Sequence, residues 1–350
     1  MTDAIEALRE RVERAFANQE QLQIVGGASK TFLGRTPVGE PIHVDECQGI
    51  VSYEPTELVI TARAGTRLDE LDRTVREAGQ LLAFEPPHFG PDATLGGTVA
   101  CGLSGPRRPY AGAVRDFVLG VKIINGKGEL LRFGGQVMKN VAGYDVSRLM
   151  TGAMGCLGVL VEVSLKVLPR PASECTLAFE MDVDAGLTKM LALAASTTPL
   201  SGACFTQGHL HVRLSGTQAG VAAAARQLGG EHTDAALWAD VRELTHVALN
   251  GTKPLWRISV PATTPNNRDL AADLIDWGGA LRWVRTDAPA STVRQWAEAS
   301  GGHARVFSDG DRDNSAFHPL KPAVLAIHQR LKKAFDPNAV LNPHRMYAQF

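Results

Sequence analysis

Apolar residues recur every three to four positions over 3–17, placing Ile5, Leu8, Val12 and Phe16 on one face. The spacing predicts a short amphipathic helix packed on a sheet, with Asp3 as N-cap and Glu6 at the capping-box position. A strand is expected at 21–25, running into a glycine-containing loop, 26–34. Segments 58–64, 66–78 and 80–84 read as strand, helix, strand. Leu68, Leu71 and Val75 form the inward side of that helix, Thr66 and Asp69 are its cap partners and Gly79 ends it, so a βαβ unit is expected.

The stretch 86–169 follows a different pattern, in which glycines interrupt apolar runs too short for the helices of a bundle. Thr94, Gly96, Gly97, Thr98, Gly102, Ser104 and Gly105 stand together and leave backbone N–H groups uncovered, as close approach of a large anionic or planar ligand requires. Segments 117–124 and 129–133 form a β-hairpin about the turn Asn125-Gly126-Lys127-Gly128. Gly152, Gly155 and Gly158 then precede an apolar run, 159–168, that reads as a buried strand. Pro169 and Pro171 mark a domain boundary. Beyond it, strand-like 176–181, helix-like 185–195, strand-like 209–214 and helix-like 217–227 alternate, as do the later segments 255–260 and 280–284, an α+β texture. A last helix is expected at 321–335, with Val324, Leu325, Ile327, Leu331 and Phe335 as its apolar side, stopped by Asp336-Pro337.

Composition narrows the function. The 350 residues suffice for about two domains with full cores, and 44% hydrophobic with 21% charged residues is ordinary for a globular chain. A net charge of −1 gives no electrostatic case for nucleic acid or an anionic membrane surface; Arg107 and Arg108 are a local pair only. Cys47, Cys101, Cys156, Cys175 and Cys204 are dispersed, which suggests neither a disulfide framework nor a metal cluster. An iron–sulfur centre would therefore lie on another chain. The charged start, MTDAIEALRERVERAF, has no apolar core and no stretch approaches eighteen uninterrupted apolar residues, so the expectation is a cytoplasmic chain without a transmembrane segment, at most peripheral on a membrane.

Loop 26–34 could receive a diphosphate on its successive N–H groups and Lys30. It is not G-x-G-x-x-G, and Ser29 stands where a P-loop has glycine before its lysine. Together with Thr94-Leu95-Gly96-Gly97-Thr98, then Tyr110-Ala111-Gly112-Ala113-Val114-Arg115-Asp116, then Gly155-Cys156-Leu157-Gly158-Val159, this order of segments resembles the FAD-linked oxidases of the vanillyl-alcohol oxidase and p-cresol methylhydroxylase type. Within them the chain resembles the FAD-binding subunits of bacterial glycolate oxidases over nearly its whole length, including Lys139-Asn140-Val141-Ala142-Gly143-Tyr144-Asp145 and Phe335-Asp336-Pro337-Asn338-Ala339-Val340-Leu341-Asn342-Pro343.

The resemblance implies an α+β fold: a PCMH-type FAD-binding domain of two α+β subdomains over 1–171, a short α+β cap over 172–310, and a helix and tail, 311–350, returning to the first domain. It carries over Gly26, Gly27, Ser29, Lys30, Thr94, Gly96, Gly97, Tyr110, Gly112, Gly155, Gly158, Val159 and Asn342 as FAD-binding positions. Family members with covalent flavin often use a histidine in or beside the first loop; here Ala28 and Ser29 stand there, so FAD is expected to be non-covalent. The resemblance further implies a division of labour, in which a larger flavoprotein subunit oxidises a small 2-hydroxy acid, glycolate to glyoxylate, and an iron–sulfur subunit takes the electrons. The alternatives are an autonomous FAD-dependent 2-hydroxy-acid dehydrogenase and a non-catalytic scaffold that has lost FAD.

No catalytic residue stands out. His209 and His211 share a strand face and could supply two metal ligands, but nothing of the form H-x-G-D-G-N-x-H, the cap motif of larger family members, accompanies them, and no metal is expected. His88, His303, His318 and His344 are isolated. Arg257 could hold a carboxylate by a bidentate pair or serve a surface or interdomain salt bridge, and Lys139 reads as a solvated charge.

Overall fold

The computed structural model describes residues 2–135 and 144–350; Lys139 and most of its motif, through Gly143, lie outside them. The chain is α+β. The first helix, Thr2–Asn18, begins before the expected cap at Asp3 and buries Leu8, Val12 and Ala15. Strands β1 (Leu22–Val25) and β2 (Glu40–His43) pair in parallel, with the cofactor-type loop emerging from the end of β1.

A five-stranded antiparallel sheet follows, built from β3 (Ile50–Glu54), β4 (Val59–Arg63), and, after the two-residue β5 (Gln80–Leu81), β6 (Val118–Ile124), β7 (Leu130–Gly134) and β8 (Val159–Lys166), in the order β3-β4-β8-β6-β7. The expected hairpin is β6–β7, where the Asn125 carboxamide oxygen accepts from the N–H groups of Lys127 and Glu129, both at 3.0 Å. Both faces of β8 are covered, so seven of its eight residues are buried, Glu162 and Ser164 together with five apolar ones.

The expected βαβ unit does not form. The helix Leu68–Glu77 buries Leu68, Leu71 and Val75 as its periodicity requires, but β5 leaves the sheet of β4 and pairs antiparallel with β9 (Leu168–Pro169). The chain turns at Leu82–Glu85, where Glu85 N–H donates to the Leu82 carbonyl at 3.0 Å, before Pro86 and Pro87, and this cuts the strand to two residues. Thr66 does not cap that helix either, because its hydroxyl exchanges hydrogen bonds with the backbone of Gly49 at 2.9 and 3.2 Å.

All strands of the second sheet come from 173–308: β10 (Ser173–Glu180), β11 (Leu200–Thr206), β12 (His209–Gly216), β13 (Glu231–Thr233), β14 (Leu255–Ser259), β15 (Leu274–Asp276), β16 (Leu281–Arg285) and β17 (His303–Ser308). They run antiparallel in the order β13-β10-β12-β11-β15-β16-β14-β17. One face is covered by the helices Val183–Ala194, Gln218–Leu228 and Ala290–Ala299. Part of the other meets the first half of the molecule, where Trp277 donates to the Gly105 carbonyl at 3.0 Å, Glu85 joins Arg107 and Arg213, and Glu243 accepts from His88 and Phe89 N–H.

The helix Pro322–Phe335 returns to the first sheet with its apolar side turned from the expected one. Val324 and Ile327 are exposed, whereas Leu325, Leu331 and Phe335 face inward with Lys332, which is buried. After the helix the chain rejoins β1, Leu22 N–H donating to the Val340 carbonyl at 2.7 Å. Among the described residues no helix is long and apolar enough to cross a membrane.

Candidate functional site

A cavity open to solvent lies between the loop after β1, the helix Leu95–Cys101, the glycine turn before β8 and the C-terminal tail. Of the sequence-derived positions, Gly26, Gly27, Ser29, Lys30, Thr94, Gly96, Gly97, Gly155, Gly158 and Asn342 line it. Tyr110, Gly112 and Val159 do not. Tyr110 packs toward the second sheet, and burial, with Asp276 nearby, holds its phenol above the ordinary range. Gly112 ends the short helix Arg108–Ala111, and Val159 is a fully buried residue of β8.

Thr94 builds one wall by capping the helix Leu95–Cys101, its hydroxyl accepting from Gly97 N–H at 3.3 Å. Loop 26–30 presses so close to the neighbouring segment that a Cβ on Gly27 would lie 1.4 Å from the Asp92 carbonyl oxygen. Opposite, Gly155 has φ +73° and a Cβ there would meet the Asn342 carboxamide nitrogen at 2.7 Å. Both ends of that carboxamide are engaged: its oxygen accepts from Ile24 N–H and its nitrogen donates to the Met154 carbonyl, each at 2.7 Å. One side chain thus ties β1, the glycine turn and the tail together.

Lys30 differs from its expected use. Its ammonium donates to the His88 carbonyl at 3.0 Å and lies 5.7 Å from the Phe89 ring centre, and burial lowers its pKa. The donors left over are backbone. Among the described residues, the N–H groups of Gly26, Gly27, Ala28, Ser29 and Lys30 find no protein acceptor, and Ala28 at φ +53° turns the run into a concave nest. Cys101, Met154 and Arg345 also line the cavity and were not foreseen. Arg345 donates to the Arg35 carbonyl and, at 3.1 Å, to that of Thr31, shaping the loop from the tail side; burial lowers its pKa to about 10. Its place two residues beyond Pro343 in the recognised tail was the one available signal.

The chain is 48% identical over 349 residues to glycolate oxidase subunit GlcE of Escherichia coli strain K12, covering 99% of this chain and 98% of that protein. It belongs to the GlcE family. Residues 2–134 of this GlcE-family chain match the FAD binding domain family. It is also 31% identical over 128 residues to glycolate oxidase subunit GlcD of Bacillus subtilis strain 168, and 30% identical over 165 residues to a D-lactate dehydrogenase of Anaerostipes hadrus. Those two matches take in 37% and 46% of this chain but only 27% and 34% of the relatives' lengths. In three dimensions, alkyldihydroxyacetonephosphate synthase superposes with a TM-score of 0.65 over 97% of this chain and 75% of that one at 14% identity, which establishes the shared fold.

FAD is the cofactor of this GlcE-family chain, and the cavity suits it. A diphosphate needs donors that are free, and five consecutive residues that line the cavity have N–H groups without an acceptor among the described residues; a planar ring system needs apolar walls, which Ile24, Val44, Ala64, Ala100, Met150 and Leu160 provide.

Elsewhere, His209 and His211 have ring centres 6.2 Å apart, but among the described residues no group of three or more His, Cys, Asp or Glu is placed to hold a metal. Burial, with His209 and His246 nearby, lowers the His211 pKa to about 4. Asp276, at the end of β15, is 3% exposed, and its Oδ1 has no partner among the described residues. Burial pushes its carboxyl up to about 7, Glu85 adds to this, and Trp277 N–H, Arg213 and Arg257 oppose it. An acid with a raised folded pKa stabilises the fold relatively at low pH, and that contribution is lost as pH rises from about 4 through about 7. Asp276→Asn is therefore expected to be more stable than the parent at pH 8, by on the order of 4 kcal/mol. The advantage should shrink toward pH 5 in denaturant titrations, and a pH-independent difference would refute the assignment.

Proposed function

We propose that the chain is an auxiliary FAD-binding subunit of a multisubunit glycolate oxidase. A larger flavoprotein subunit oxidises glycolate to glyoxylate, and an iron–sulfur subunit carries the electrons onward. The carrying observation is the lining of the FAD cavity, which among the described residues holds the cations Lys30 and Arg345 but no histidine and no carboxylate. Cys101, the remaining ionisable group, has its thiol pKa raised by burial. Removing a substrate proton needs a base poised near neutral pH within hydrogen-bond reach, and this lining offers none. Bound FAD supplies a two-electron carrier; the chain's own residues bind and orient it. Of the thirteen positions named from the sequence, the ten that line the cavity remain the proposed contacts, with the nest at 26–30 for the diphosphate. Residues 1–171 would form the FAD domain, 172–310 the cap and 311–350 the returning tail, in a cytoplasmic subunit held at the inner membrane face only through its complex.

The test is an anaerobic visible spectrum of the purified chain with glycolate or D-lactate, alone and with the larger flavoprotein and iron–sulfur partners. Bleaching of the flavin band only with partners is expected; bleaching by the chain alone at a turnover-competent rate would overturn the auxiliary role.

Loop 26–34 has no histidine. Acid or denaturant should therefore release all flavin into solution, and fluorescence retained on the denatured polypeptide in a gel would contradict dissociable FAD.

A further inference from the structure

Strand alternation divides the residues of β14, β16 and β17 between two faces. Trp256, Ile258, Val284, Ala304 and Val306 form a core with the helix Ala290–Ala299. Arg257, Trp283, Arg305 and Phe307 take the other face, where Trp283 and Phe307 cluster with Leu33, Leu103 and Met154 of the flavin half. Arg257 lies opposite Trp283 on one neighbouring strand and opposite Arg305 on the other. Arg108 approaches from the flavin half, so that the Trp277 ring has the Arg108 guanidinium at 4.2 Å and that of Arg257 at 4.8 Å. Arg305 lies against Phe307 and Phe317, at 5.7 and 5.5 Å.

None of these three guanidinium groups forms a hydrogen bond or ion pair with a described residue, and Arg305 Nε is buried without a partner. The same interface pairs its other arginines: Arg107 and Arg213 share Glu85 at 3.2 and 2.9 Å, and Arg107 also reaches Glu174. Three partly buried cations without a counter-charge repel one another, and an anion among them removes that cost. Burial, Arg305 and Arg108 all push Arg257 well below its ordinary pKa, and Asp276 is the acid that opposes them. His303, on the same face of β17, is pushed down to about 4 by burial and by Arg257, so it adds no charge at neutral pH.

We propose that Arg108, Arg257 and Arg305 form a binding site for a small organic carboxylate between the flavin half and the second sheet. A guanidinium fork matches a carboxylate in two parallel hydrogen bonds, and the flanking indole and phenyl rings accept the carbon body. The site holds an anion without supplying a base, so it is compatible with a subunit that binds the acid and leaves its oxidation to another chain.

Isothermal titration of the full-length, FAD-loaded chain with sodium glycolate, at ionic strength held constant with chloride, tests this. Glycolamide, the uncharged isostere, and inorganic phosphate serve as separate arms. Saturable heat with glycolate, at least tenfold weaker for the other two, is expected. Arg257→Met and Arg305→Met should each raise the glycolate Kd at least tenfold while Tm holds or rises, because neither guanidinium has a hydrogen bond or ion pair with a described residue to lose and the methionine keeps contact with the aromatic rings. The proposal is overturned by no saturable heat with glycolate, by equal binding of glycolamide or phosphate, by variants that bind as tightly as the parent, or by a fall in Tm in both variants. The flavin band of the same samples reports FAD occupancy separately, so failure of cofactor binding is distinguishable from failure of the carboxylate site.

Discussion

Lys332→Met is expected to destabilise the chain by about 3–5 kcal/mol, the range for breaking a buried ion pair from one side. Lys332 is 4% and Asp336 1% exposed. The ammonium donates to Asp336 Oδ2 at 2.7 Å, to the Leu341 carbonyl at 2.6 Å and to the Cys156 carbonyl at 2.9 Å. Asp336 in turn accepts from Val340 and Leu341 N–H at 2.9 and 2.7 Å. Removing the lysine leaves a buried carboxylate and two buried carbonyls without their cation. The loss also reaches the cofactor cavity, since Cys156 follows Gly155 and Leu341 precedes Asn342, both on its wall. FAD affinity should therefore fall with stability. Lys332→Met combined with Asp336→Asn should recover part of the stability, because the stranded charge is gone. Denaturant titration of the single and double variants measures this, and a single-variant loss below about 1 kcal/mol, the scale of an exposed pair, would refute it.

Gly27→Ala should weaken FAD binding about a hundredfold, equivalent to roughly 2.7 kcal/mol. The Cβ it adds would overlap the Asp92 carbonyl, which is backbone and cannot rotate aside, so loop 26–30 must back away from the Thr94 wall. That displacement breaks the concave run of N–H groups on which a diphosphate depends. Gly216→Ala is the control: its Cβ would find nothing nearer than Val221 Cγ2 at 3.9 Å, and the change should lie within about 0.5 kcal/mol of the parent. Flavin fluorescence on dilution gives the dissociation constants. Equal FAD affinity in Gly27→Ala and the parent would remove the loop from the site.

Much of this molecule could be read along the chain. The helices Leu68–Glu77 and Gln218–Leu228, the β6–β7 hairpin and the buried β8 lie within about two residues of expectation, because period, turn chemistry and apolar runs are local properties. The strand β11 was missed: LSGACFT carries no strong β pattern, and its Gly202 is small because the Trp238 ring packs 2.8 Å from where a Cβ would be. Ten of the carried-over FAD positions line one cavity, yet they come from four separated segments, and their order alone says nothing about the distances between them.

Spacing along the chain is enough to determine a backbone propensity, a turn, or a loop with bare N–H groups, since each depends on residues within a few positions of one another. Orientation is different. Helix 322–335 is apolar on more than one side, and the arrival of β1 and the tail turns Lys332 inward and leaves Val324 and Ile327 in solvent. Glu85 goes to Arg107 and Arg213 while Arg257 is left unpaired, although all are charges on ordinary-looking segments. Which charge finds a partner is an outcome of three-dimensional packing, because a Coulomb interaction depends on distance through space and on the water excluded between the groups, and neither is a function of sequence separation.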